Sequence, residues 1–86
     1  MYVSEKEILY YIGLIDVDIR YYEDYKDRLS TFIHSERNNL PKSKFAKILN
    51  EINETTIAIY YLRKKQDQYH QILINQHYGN KENPQY

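Results

Sequence analysis

This 86-residue sequence predicts an all-α fold: a long antiparallel two-helix hairpin of coiled-coil type, completed to a four-helix bundle by dimerisation. Three observations carry that expectation. The first is an apolar stripe through Ile8, Ile12, Ile15, Ile19, Tyr22, Lys26, Leu29 and Ile33, whose steps alternate four and three as in a helix that presents one seam to another helix. The second is a matching stripe through Ile48, Ile52, Thr55, Ile59, Leu62, Gln66, Tyr69 and Leu73, with the same steps in reverse. Folding the chain back at Leu40-Pro41 sets Ile8 opposite Leu73, Ile19 opposite Leu62 and Ile33 opposite Ile48, one register through every layer. The third is charge: residues 1–40 hold eight acids and five bases, a net of −3, and residues 41–86 hold four acids and seven bases, a net of +3. The two arms attract. In that register Asp16 and Asp18 lie level with Lys65 and Arg63.

The first helix should open with a capping box, Ser4 followed by Glu7, and with a hydrophobic staple between Val3 and Ile8. It is expected to span residues 5–38 and to stop where the Asn38-Asn39 pair can take a left-handed conformation ahead of Pro41. The turn covers 39–42. A second helix over 43–78 follows, ended by Gly79, so that residues 1–78 form one hairpin domain and residues 79–86 a disordered tail. Gly13, inside the first helix, costs about 1 kcal/mol against alanine, which a close approach of the second helix would justify.

Composition excludes much chemistry. Twelve basic and twelve acidic residues cancel, so the chain has no bulk attraction for nucleic acid or an anionic membrane. With no cysteine there is no disulfide framework, thiolate metal site or cysteine nucleophile, which suits a cytoplasmic protein. No apolar run approaches the roughly 20 residues of a membrane span. The wealth of isoleucine, tyrosine, lysine and asparagine points to an AT-rich genome, such as a low-GC Gram-positive bacterium or its phage.

No enzyme is expected, and neither cofactor nor metal. The two glycines, Gly13 and Gly79, are too few for a phosphate-cradling loop. His70 and His77 stand two helical turns, about 10 Å, apart, too far to share one metal ion without ligands between. His34 lies at the other end of the hairpin, and Asp16 and Asp18 point nearly opposite ways, so they form no carboxylate dyad. The Asn53-Glu54-Thr55 sequon falls inside a helix with Thr55 in the seam.

What the hairpin leaves over is apolar surface. Tyr10, Tyr11, Leu14, Val17, Tyr21, Tyr25 and Phe32 continue the seam of the first helix around one side, well beyond the roughly 100° that a surface helix needs. The expected function is therefore that of a small protein-protein interaction module, homodimeric, acting through Tyr10, Tyr11, Leu14, Tyr21, Tyr25 and Phe32. An alternative is a phage-type inhibitor that uses the acidic, tyrosine-rich stretch with Asp16, Asp18, Glu23, Asp24 and Asp27 to block a nucleic-acid-handling or defence protein. Another is nucleic-acid binding by the basic tip, Arg37, Lys42, Lys44 and Lys47. Tyr78-Gly79-Asn80-Lys81-Glu82 places an acid four residues after a tyrosine near the chain end. In this motif and in length the chain resembles the small helical hairpins exported by type VII secretion, which would imply a secreted hairpin. It departs from them in having no Trp, and in a turn that reads Asn38-Asn39-Leu40-Pro41 where they carry Trp-x-Gly.

Overall fold

The computed structural model describes residues 4–82, with side chains as far as residue 76. Two helices, α1 (Glu5–Ser35) and α2 (Lys42–Glu82), pack against each other, and the described residues contain no strand. The result is a rod of 69 × 19 × 16 Å.

α1 begins as its capping residues dictate. Ser4 is the N-cap in extended conformation, and its hydroxyl accepts a hydrogen bond from the Glu7 amide at 3.2 Å. Ile8 one turn later is 1% exposed; Val3, its expected staple partner, lies outside the described residues. The helix stops earlier than expected, at Ser35 rather than 38, and by a different device. Glu36 leaves helical geometry (φ −102°, ψ 10°), and its carbonyl accepts from the amides of both Asn39 and Leu40. The Asn39 amide group donates to the Glu36 carboxylate at 3.1 Å. No described residue has positive φ, so Asn39 closes the turn through its hydrogen bonds to Glu36 and the asparagine pair makes no left-handed stop.

α2 starts at Lys42, one residue before the expected 43, with the Phe45 amide bonded to the Pro41 carbonyl at 3.0 Å. It also runs further. Gly79 was expected to end it, yet the helix continues through Gly79 to Glu82, because nothing there adopts the positive φ that a glycine stop requires. Residues 79–82 thus belong to the helix and not to a disordered tail; the rest of that proposed tail, residues 83–86, lies outside the described residues.

The seam is where the two periodic stripes place it. Ile8, Ile15, Ile19 and Ile59 are the buried apolar core, Leu62 and Tyr69 pack against it half-buried, and Thr55 is buried with its hydroxyl bonded to the Glu51 carbonyl at 2.7 Å. Ile12, Lys26, Leu29, Ile33, Ile48, Ile52, Gln66 and Leu73 are half-buried along the same line. Tyr22 is the member that slips out; it sits at the edge, its ring edge-on to Tyr21 at 5.6 Å. Gln66, the polar layer facing α1, is accommodated because its side-chain amide donates to the Ile12 carbonyl at 3.2 Å.

Two expectations about detail give way. An added Cβ at Gly13 would meet nothing within 4 Å, so no close helix approach accounts for this glycine. The level pairing of Asp16 and Asp18 with Lys65 and Arg63 does not form: Asp16 pairs with Arg20 on its own helix at 3.0 Å, and the cross-helix bridge runs from Arg63 to Glu23 at 2.8 Å. The reason is angular. At about 100° per residue, Asp18 and Arg63 emerge on opposite broad sides of the hairpin, as do Asp16 and Lys65, so being level does not bring them together.

Candidate interaction surface

A two-helix hairpin has two broad sides, and the cross-helix contacts identify them. On one side the rings of Tyr11 and Tyr69 stack at 5.8 Å and 21°, and the Tyr25 hydroxyl donates to the Glu51 carboxylate. On the other side Glu23 meets Arg63. Every remaining residue follows from its angle to the seam.

The first side is aromatic and apolar. From α1 it carries Tyr11, Leu14, Tyr21, Tyr25 and Phe32, whereas Tyr10 and Val17, on one line with Asp24, point away from the seam. Tyr10, Val17 and Tyr21 are 63–68% exposed. The rings brace one another: Tyr10 stands edge-on to Tyr11 at 5.8 Å and 61°. Tyr25 alone is half-buried, held down by its bond to Glu51. That hydrogen bond, which only the neutral phenol can donate, holds the Tyr25 hydroxyl above its ordinary pKa of 10.0, with smaller contributions from desolvation and from the charge of Glu51.

α2 completes this side with Ala58, Tyr61, Lys65 and Ile72. Sequence reasoning missed these residues. Their signal was present, since Glu54, Ala58, Tyr61, Lys65, Gln68 and Ile72 repeat at steps of four and three beside the seam, but polar members diluted the stripe.

The second side is more polar, although Leu9, Leu49, Tyr60 and Ile74 also stand exposed on it. Glu23, Lys26, Asp27, Thr56 and Arg63 line a shallow cleft over Ile59. The five acids of the proposed acidic patch do not share one surface. Asp16, Glu23 and Asp27 project here, Asp18 lies on the aromatic side, and Asp24 points away from both. Three are neutralised, Asp16 by Arg20, Asp24 by Arg28 at 2.8 Å and Glu23 by Arg63.

Two of the four basic-tip residues come together. Arg37 and Lys42 line a groove at the turn with Asn38, Leu40 and Phe45, and Lys44 and Lys47 stand exposed on the opening turns of α2, which holds no acid in its first turn. Among the described residues no group of three or more His, Asp or Glu is placed to hold a metal ion, and no helix is long and apolar enough to cross a membrane. Compared with protein-family models, curated proteins and solved structures, the chain matches none.

Proposed function

We propose that this chain is a non-enzymatic contact module whose aromatic broad side holds another polypeptide, a second copy of the hairpin first of all. The observation that carries the reading is the amount of surface left open. A compact monomer of 10.6 kDa is expected to expose roughly 5,500 Å², whereas this chain exposes 7232 Å². Large apolar groups are part of that open surface: Tyr11, Leu14, Tyr21 and Phe32 are each 40% exposed or more along the aromatic side of α1. Contiguous apolar surface of that kind marks contact sites in soluble proteins, and tyrosine suits them because a broad ring ends in a hydrogen-bonding hydroxyl. The buried core consists of four isoleucines and one threonine, little for a chain of this length, and burial against a partner adds what the hairpin lacks.

The test places a charge on this side and leaves the seam intact. Leu14→Glu and Tyr21→Glu should lower the mass measured by light scattering to that of the single chain while circular dichroism stays helical. A carboxylate buried without a partner costs several kcal/mol, more than a contact of this size can absorb. Variants that keep both the parent's mass and its protein partners would sink the reading.

A further inference from the structure

We infer that the second copy docks with its twofold axis parallel to the helices, so that α1 of each copy lies antiparallel to α2 of the other and Asp18 of one meets Lys65 of the other. This rests on the reading that the aromatic side is a contact surface, and adds which arrangement it takes. On α1 a second heptad stripe runs beside the seam from Tyr11 to Phe32 in steps of three and four; on α2 its counterpart runs from Glu51 to Ile72. Both stripes face the same broad side, as the Tyr25–Glu51 and Tyr11–Tyr69 contacts establish.

A twofold axis along the rod keeps each residue at its own height and lays the first stripe on the partner's second. The layers then match without a slip. Tyr11 meets Ile72, Tyr21 meets Tyr61, and Tyr25 meets the small Ala58. At the two layers where α1 carries a charge, the partner carries the opposite one: Asp18 meets Lys65 and Arg28 meets Glu54. Leu14 lies on the aliphatic stem of Gln68. Within the single chain neither Asp18 nor Lys65 makes an ion pair or hydrogen bond, and Arg28 bonds to Asp24 while remaining 78% exposed at its side chain.

The alternative twofold, perpendicular to the helices, stacks α1 on α1. It sets Arg28 against Leu14 and Asp18 against Tyr25, and brings the two net-negative arms together. Charge complementarity therefore selects the parallel axis. Size is also adequate. From Tyr11 to Phe32 the stripe is about 31 Å long, and on a rod 19 Å wide it gives a face of roughly 600 Å² per copy, above what chance contacts between proteins bury.

The experiment uses two full-length variants, Asp18→Lys and Lys65→Glu. Alone, each would place two like-charge layers in its own dimer; mixed, each supplies the charge the other needs, and both layers become attractive. Native mass spectrometry, with one variant isotopically labelled, should show each variant dissociating about tenfold more readily than the parent, and the mixture forming a one-to-one heterodimer as tight as the parent. Only contact between chains can give that rescue. Circular dichroism checks that both variants remain helical, as expected for exposed positions. A mixture without heterodimer, or single variants that dimerise as tightly as the parent, would overturn this arrangement. If Leu14→Glu still abolishes assembly in that case, the contact surface stands and only its geometry falls. A parent that is monomeric at every concentration overturns the second copy as occupant and leaves the surface for a different protein.

Discussion

Two residues show how far a single position can be read. Gly13 sits in the interior of α1 with helical geometry and open space where a methyl group would go, so nothing in the fold requires it. Replacing it with alanine should restrict the unfolded chain and stabilise the protein by about 0.5–1 kcal/mol, measured by chemical denaturation. A destabilised Gly13→Ala would mean that this face of α1 is covered. Tyr25 is the other. Its bond to Glu51 raises its pKa, so the folded state holds that proton more tightly than the unfolded chain. The stabilisation is then fully present below the unfolded value near 10.0 and is lost as pH rises through the higher folded value. Tyrosinate absorbance followed to alkaline pH should show one ring ionising late. Glu51→Gln should advance it, and a titration unaltered by that change would detach the shift from its assigned cause.

At the scale of the helices, stability is concentrated in a short stretch of the seam. Ile15, Ile19 and Ile59 form the buried cluster, with Leu62 and Tyr69 against it, whereas toward the turn Leu29, Ile33, Ile48 and Ile52 are half-buried. Truncation should therefore hurt unequally. Ile19→Ala removes a side chain that is 3% exposed and should cost about 2–5 kcal/mol, a large part of what so small a domain possesses. Ile52→Ala, at a half-buried site, should cost less. Urea titrations of the two variants check the order, and equal losses would show that the core extends evenly along the rod. The exposed Arg63–Glu23 bridge contributes only about 0–1 kcal/mol and fixes which sides of the helices face alike more than it stabilises them.

At the scale of the whole molecule, a thin rod pairs a small core with a large surface, and these two properties have one remedy. If the second copy supplies the missing burial, folding and association are linked, and stability becomes a function of concentration. A tenfold increase in protein should then raise stability by about 1.4 kcal/mol, visible as a rise in melting temperature. A melting curve indifferent to concentration would indicate a hairpin that folds as a monomer. The neutral total charge fits this picture, because the −3 and +3 halves complement each other within the hairpin and, in the proposed dimer, would do so again between copies.

The sequence by itself determined the helices, the seam and the turn at Leu40-Pro41, since all three depend on periodicity and on local capping chemistry, which are properties of neighbouring residues. Ser4 capped as its pattern required, and the apolar stripe beside the seam was legible on α1, where nearly every member is large and apolar. Where the chain stops being helical was less legible. Glu36 ends α1 through its carbonyl and carboxylate, and the helical Gly79 shows that a glycine permits a stop without imposing one. Only the tertiary structure decided which residues share a broad side. Height along a hairpin follows from counting residues, but side depends on the rotation of each helix about its own axis, and that rotation is set by how the isoleucines of the seam interlock. It put Arg63 with Glu23 instead of Asp18, dispersed the acidic residues, and joined Tyr61, Lys65 and Ile72 of α2 to the aromatic side of α1.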